Sequence, residues 1–374
     1  MEKENEMKKL LTAAVTLASF AHLAVADPIS PELAQQTRVA IGKGVAWLQA
    51  QQKESGAWSE ENMPALTALP LWALAVSGVP NTEDAQKKAM DNILGKQQPD
   101  GGFYVMQERQ GASLGNYNTC ICVMALHATG RKDLTPVILK ARTYIASSQF
   151  TGETTHAGGF GYDKNAPRVH TDLNCTHFAM DAMRRTQSLE DLRPSGERRA
   201  DLNWEAALKY VEQLQTQDGD TKGGFAYNNE PPREGTAATN ADGTVMLRAY
   251  GSMTYAGVLS LVHAQLDKRD PRVRSAFEYA SRFWTVDENP GQGLQGLFFY
   301  YNIMSRALTA AGVDTLPKDT GNIRWREEMI KKVLSLQKPD GSWENENNRW
   351  WESDPVLATS YALLALAFAN GMTK

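Results

Sequence analysis

Two kinds of apolar segment alternate along the chain. Stretches such as "NWEAALKYVEQLQ" (203–215) and "RWREEMIKKVLSLQ" (324–337) space their apolar residues three and four apart with charges between them, the pattern of a helix wet on one side. Stretches such as "ALTALPLWAL" (65–74) and "VLATSYALLAL" (356–366) are apolar nearly all round, as expected of a helix buried on most sides. The alternation predicts helical hairpins, each pairing an outer helix with an inner one.

The outer helices end in a recurring way. "WLQAQQKESGAW" places Gln52, Gly56 and Trp58 behind an apolar pair, "NILGKQQPDGGF" repeats the spacing with Gln97, Gly101 and Phe103, and "VLSLQKPDGSW" with Gln337, Gly341 and Trp343. Looser copies run from Gln149 to Phe160 and from Gln215 to Phe225, and a fifth, "YASRFWTVDENPGQG", lacks the Gln. A Gln about one turn past an apolar pair can hydrogen-bond free backbone groups at the helix end. The following turn breaks the helix, and the aromatic is expected to pack back on the pair. The inner segments carry Thr67, Thr119, Thr176, Thr254 and Thr359 at a shared register, with Tyr301 in the fifth unit. Six two-helix units make an all-α protein, and both an open solenoid and a closed double ring fit the pattern. Residues 226–247, rich in Pro, Gly, Asn and Thr, read as a surface loop.

Composition narrows the function classes. With 374 residues, 42% hydrophobic and 22% charged, and a formal net charge of -4, the chain is an ordinary, mildly acidic globular protein. It gathers no basic stripe with interleaved aromatics, so no nucleic-acid partner is expected. At the N-terminus, Lys8 and Lys9 precede an apolar run that ends in Ala24-Val25-Ala26 before Asp27, the layout of a signal peptide spanning residues 1–26. A start at Met7 would give the same layout directly, and the competing reading is an uncleaved anchor. No later segment is long and apolar enough to span a bilayer. The expected localisation is secreted or periplasmic, with residues 27–374 forming one domain. Cys120, Cys122 and Cys175 are an odd set, which argues against a disulfide framework and leaves one bond from Cys175 open.

The Trp-Leu, Gln, Gly-x-Trp unit of "WLQAQQKESGAW" and "VLSLQKPDGSW" resembles the prenyltransferase/squalene oxidase repeat of squalene cyclases and protein prenyltransferases. The resemblance covers essentially all of the chain after residue 26. It implies a closed (α/α)6 toroid with a central apolar cavity, and an isoprenoid or other apolar small molecule as ligand. Squalene-hopene-type cyclases carry Asp-x-Asp-Asp-Thr at the start of an inner helix, the middle Asp being the proton donor. Asp172-Leu173-Asn174-Cys175-Thr176 falls in that register but keeps only the first Asp and the Thr. Asn174 stands in the donor's place, and an amide cannot protonate an alkene. In protein prenyltransferases zinc is held by an Asp and a Cys two residues apart. Arg248 and Tyr250 occupy those positions here, so no zinc and no other cofactor are expected.

Candidate site residues follow from these registers. Asp172 and Asp354 are the candidate acids. Asn174, Cys175, His177, Tyr250, Tyr301, Trp350 and Trp351 are candidate ligand contacts, the aromatics through ring faces that line a cavity or its mouth. Asp172 also stands where a helix N-cap belongs, and His177 and Asp181 form a pair four apart. A metal cluster of His170, Asp172, Cys175 and His177 has the right residue types but poor helical spacing. Three function classes remain: an isoprenoid-handling toroid, a non-catalytic scaffold for a cell-envelope protein partner, and an (α/α)6 carbohydrate-active enzyme. The last would need paired carboxylates, for which Glu108, Asp172, Glu352 and Asp354 are available. N-terminal sequencing of the exported protein is expected to begin at Asp27; an intact Met1 or Met7 in the exported fraction would contradict the cleavage site.

Overall fold

A computed structural model of the chain describes residues 29–230, 247–318 and 320–372. Residues 1–26, expected to form a signal peptide, and most of the long 226–247 segment lie outside the described residues. The outer helices are α1 (Pro31–Gln51), α3 (Glu83–Leu94), α5 (Thr135–Ser147), α7 (Trp204–Glu212), α9 (Pro271–Arg282) and α11 (Trp325–Ser335). They alternate with inner helices α2 (Ala65–Ser77), α4 (Gly115–Ala128), α6 (Leu173–Arg185), α8 (Gly251–His263), α10 (Leu297–Ala310) and α12 (Pro355–Ala369). A short antiparallel hairpin, β1 (Leu316–Lys318) with β2 (Gly321–Ile323), links α10 to α11.

Each inner helix packs on the next, and α12 packs back on α2. In the outer layer, α11 meets α1. The double ring is therefore closed, and the fold is an (α/α)6 toroid. All six inner helices run the same way, so their N-termini share one face of the disc. Every residue of α2 is buried, and so is every residue of α12 after Pro355, which is why neither shows an apolar stripe.

The recurring Gln joins consecutive repeats. Gln52 Nε2 donates to the Gly56 carbonyl of its own turn and to the Ala85 carbonyl on α3, the next outer helix. Gln97 does the same with Gly101 and Val137, Gln149 with Gly158 and Asn203, and Gln215 with Gly223 and Arg272. Gln337 donates to Gly341 and to Ala40 on α1, closing the outer ring between the last repeat and the first. The fifth repeat, which lacks the Gln, uses side chains instead: Trp284 donates to Glu328, and Lys332 pairs with Asp287.

The aromatic beyond the turn is fully buried between the rings. Trp58 Nε1 donates to Leu48 O and Trp343 Nε1 to Val333 O, each reaching a member of the apolar pair. Four of the five threonines in the shared register have their explanation here, while the Thr67 hydroxyl is buried without a partner. Thr119, Thr176, Thr254 and Thr359 accept from the backbone N–H of Phe103, Phe160, Phe225 and Trp343, pinning each loop aromatic to its inner helix. Tyr301 at that register donates to Val286 O at 2.6 Å and does the same work with a longer arm.

The turns allow little else. Gly158 has φ +87°, and a Cβ there would lie 2.0 Å from Ala206 O on α7. Gly130 has φ +70° with nothing within 4 Å of a Cβ. Gly158→Ala is expected to cost about 3 kcal/mol or more, because the left-handed backbone and a backbone clash combine. Gly130→Ala should cost about 1 kcal/mol from the backbone alone. Urea unfolding of the two variants checks this, and equal losses would contradict the joint.

Candidate functional site

The face formed by the inner-helix N-termini carries the chemistry. Six parallel helices present free N–H groups and positive dipole ends there, and each start is capped by a polar side chain. Asn118 accepts from Ala65 N, Asn289 from Ser252 N, and Glu352 from both Phe298 N and Phe299 N. Asp354 Oδ1 accepts from Val356 N at 2.9 Å as the cap of its own helix α12. Glu352 also accepts from Asn345 Nδ2, so its buried carboxylate is fully committed, although burial raises its pKa.

Asp172 differs from these caps. Its Oδ1 accepts from Cys175 N at 2.7 Å, while Oδ2 is buried without a hydrogen-bond partner, 3.6 Å from His170 Nε2. The carboxyl is fully buried, and burial pushes its pKa from the ordinary carboxylate value up to about 6 against the opposing pull of the Cys175 N–H and His170. It is surrounded by tyrosines: Tyr162, Tyr210, Tyr227 and Tyr250 lie close enough for its charge to raise their own pKa values.

Tyr162, Tyr227 and Tyr250 are partly exposed, and with other aromatics they gather on the face above the ring axis. Tyr117 and Tyr162 stand 5.6 Å apart, Tyr117 and Phe178 5.6 Å, Phe178 and Phe299 6.3 Å, and Phe299 and Tyr361 5.8 Å between ring centroids. Asn174 Nδ2 approaches Tyr162 Oη at 3.4 Å, and the Tyr162 and Tyr227 hydroxyls are 3.5 Å apart. Tyr117, Tyr162, Asn174, Tyr227, Tyr250 and Phe299 all keep some exposed area. Burial nevertheless raises the phenol pKa of Tyr117 to about 12 and pushes Tyr162, Tyr227 and Tyr250 up as well. Exposed area combined with strong desolvation means these rings face an enclosed concavity rather than open water.

Below this basin the axis is filled. Asp181 on α6 pairs with Arg306 on α10, and both are buried. Asp181 Oδ1 also meets Arg185 Nε at 2.7 Å and His263 Nε2 at 2.9 Å. Trp72 stacks 4.8 Å from the Arg306 guanidinium and 6.1 Å from Phe368, and Met124 Sδ lies 3.9 Å from Arg306 Nη2. Each of the six inner helices thus contributes to the hub, α6 through both Asp181 and Arg185. Burial lowers Arg306 to about 9 and His263 to about 3, so His263 is neutral. His177, with burial and Arg306 pressing its pKa well down, is neutral too and packs 4.0 Å from Phe178.

The structure brings Asp172, Asn174, Tyr250 and the neighbouring tyrosines together at the basin. Cys175 is a buried thiol just behind Asp172, and burial raises its pKa well above the ordinary thiol value; Cys120 and Cys122 are likewise buried and unbonded. His177 turns toward Arg306, away from Asp172. Among the described residues, no three of His, Cys, Asp and Glu are grouped to hold a metal ion. Tyr301 lies between the rings. Asp354 sits on α12, three places around the ring from the α6 cap Asp172. Trp350 and Trp351 are exposed on the loop before α12, with φ +63° and +67°. They share that face of the disc with exposed Met106, Val169 and Leu294, each in a loop that leads into an inner helix. Sequence reasoning did not single out Tyr117, Tyr162, Tyr227 or Arg306. Asp181 and Arg306 had a legible signal, since they are charges inside otherwise apolar inner segments. The tyrosines had none, being scattered over loops and helices far apart in sequence.

No protein-family model matches the chain, and no curated protein matches it by sequence. Solved structures do match in fold. The type II terpene cyclase MstE from Scytonema aligns with TM-score 0.56 at 12% identity, over 91% of this chain and 99% of that one. A variant of the same cyclase bound to geranylgeranyl dihydroxybenzoate aligns with TM-score 0.55 at 13% identity, over 92% and 100%. The GH76A alpha-1,6-mannanase from Salegentibacter sp. HEL1_6 aligns equally well, with TM-score 0.56 at 12% identity over 91% and 98%. At these identities the likeness establishes the toroid and leaves the chemistry open.

The raised Asp172 pKa has a sign that can be checked. The folded state keeps this proton to a higher pH than the unfolded chain, so stability falls as pH rises from about 4 to about 6 and stays lower above. Asp172→Asn retains a capping oxygen without the charge. The variant is expected to exceed the parent by about 3 kcal/mol at most at pH 8 and to match it near pH 4. A variant less stable than the parent at pH 8 would contradict the buried-acid assignment.

Proposed function

We propose that this is an exported toroid that takes an isoprenoid or comparable apolar chain into the aromatic basin, with Asp172 as its acid. The observation that carries the reading is a buried carboxyl with one oxygen unpartnered, raised to about 6, set behind a wall of tyrosines. An aromatic wall suits a polyene and stabilises positive charge through ring faces. A carboxyl that holds its proton near neutral pH is a proton donor. Asp172 has no exposed area of its own, so its link to the basin runs past Tyr227 and Tyr162, which feel its charge and whose hydroxyls stand 3.5 Å apart. The acid thus comes from the first position of the Asp172–Thr176 stretch, two residues before Asn174. The blocked axis gives the basin a floor at the hub, as a site that sequesters an apolar chain from water requires.

The fold also accommodates carbohydrate chemistry, which needs two carboxyl groups flanking the scissile bond. Of the buried carboxyls on the basin face, Glu352 is spent on the α10 N-terminus, Asp163 on the Asn165 N–H and on the Gly115 N–H at the start of α4, and Asp172 faces neither of them as a partner. An isoprenoid ligand is the better fit, with a cell-envelope protein on the tryptophan-bearing face as the reading that remains if the basin binds nothing.

Native mass spectrometry of the protein from Asp27 onward, exposed to an isoprenoid-containing lipid extract, is expected to show a retained polyprenyl compound. Phe299→Ala, which removes one basin wall, should weaken retention about tenfold. A folded protein that retains no lipid, or equal retention by the Phe299→Ala variant, would overturn the assignment.

A further inference from the structure

The loop that precedes α6 places a second feature beside the acid. His170 Nδ1 lies 3.1 Å from Glu230 Oε1, and its Nε2 lies 3.6 Å from Asp172 Oδ2. One imidazole therefore spans two carboxyl groups from different loops. The side chains form a gradient into the protein, 36% exposed at His170, 19% at Glu230 and 0% at Asp172. Arg168, itself 82% exposed, steadies Glu230 from the other side at 3.4 Å.

A buried acid that gives up its proton has to be recharged. Asp172 has no exposed area, and the groups around it offer few routes. Cys175 donates its backbone N–H to Oδ1, and its thiol stays protonated because burial pushes it well up. Tyr162, Tyr210, Tyr227 and Tyr250 face the carboxyl from neighbouring loops and helices with hydroxyls that burial holds firmly protonated. His170 is the neighbour whose ring both touches solvent and reaches Oδ2, and imidazole is the side chain that gains and loses a proton near neutral pH.

We propose that Glu230, His170 and Asp172 form a proton-loading chain in which His170 carries protons from solvent to the buried carboxylate and Glu230 orients the ring. The inference rests on the reading of Asp172 as the acid, but it is tested without any ligand. In the step itself, the ring takes up a proton from water and becomes an imidazolium whose two N–H groups face the two carboxylates. The Nε2–H bond then breaks as an O–H bond forms at Asp172 Oδ2. The ring is left neutral, with its remaining proton on Nδ1 donated to Glu230. Charge balances throughout: one positive charge and one negative charge disappear, and Glu230 keeps its own. Glu230 is a positioning residue in this scheme, since it fixes which nitrogen points at Asp172.

The experiment is a pH jump on the full ligand-free protein, following the carbonyl stretch of the protonated Asp172 carboxyl by time-resolved infrared. That band is identified by its loss in Asp172→Asn. His170→Gln is expected to slow the appearance of the band by about a hundredfold while leaving its final amplitude at low pH intact. Glu230→Gln should slow it less, because the ring is still present but no longer oriented. A merely structural role for His170 would change the amplitude or the fold and not the rate. Loading at the parental rate in His170→Gln would overturn the proposal and make the basin side the source of the proton. Rapid loading in the parent with no ligand retention in any assay would leave the relay standing and remove the isoprenoid reading instead.

Discussion

The pair formed by Asp181 and Arg306 on the ring axis is the interaction on which the rest of the molecule depends. Six parallel inner helices leave a central space that must be either filled or lined. Here an ion pair spans α6 to α10, and Arg185, His263, Trp72, Met124 and Phe368 complete the fill. A buried pair of this kind adds little net stability over apolar packing, but loss of one partner typically costs 3–5 kcal/mol, so neither member can drift from its place. Because the hub occupies one level of the axis, everything above it on the N-terminal side becomes a blind basin.

The outer ring solves a different problem with one residue used five times. Each Gln amide satisfies a carbonyl in its own turn and one on the following helix, and the glycine of that turn lies against the same neighbour. Ring closure then needs no special device, since Gln337 reaches Ala40 just as Gln52 reaches Ala85. With the scaffold fixed in this way, strain can be concentrated at the mouth. Trp350 and Trp351 hold left-handed backbone in succession, a conformation that costs roughly 1–3 kcal/mol per residue and persists only where the surroundings enforce it. Asn348 O, Glu352 O and the Asp354 N–H supply that enforcement through the loop's own hydrogen bonds.

Much of the fold was legible in the sequence because its signals are local. The alternation of one-sided and all-round apolar segments, and the Gln-to-aromatic spacing, are properties of single helices and turns, and they marked all six repeats. The shared Thr was visible as a register, but its function, accepting the N–H of a loop aromatic sixteen or more residues earlier, depends on how the rings pack. The site was legible only in part. Asp172 could be found from its register and from its cap position. Its unpartnered oxygen, and the tyrosines from four separate segments that desolvate it, are products of ring closure. His177 shows the same limit from the other side: it is adjacent in sequence to the acid's helix start, yet the helical turn directs it to Arg306 and the hub.

The central claim is that the ligand site is the basin between the inner-helix N-termini and the Asp181–Arg306 hub. A crystal structure of the protein soaked with a twenty-carbon polyprenyl alcohol tests it most directly. The account predicts density among Tyr117, Tyr162, Phe178, Tyr250 and Phe299, ending above an undisturbed ion pair. Density on the opposite face of the disc, or a hub displaced to let the chain pass through the axis, would contradict it.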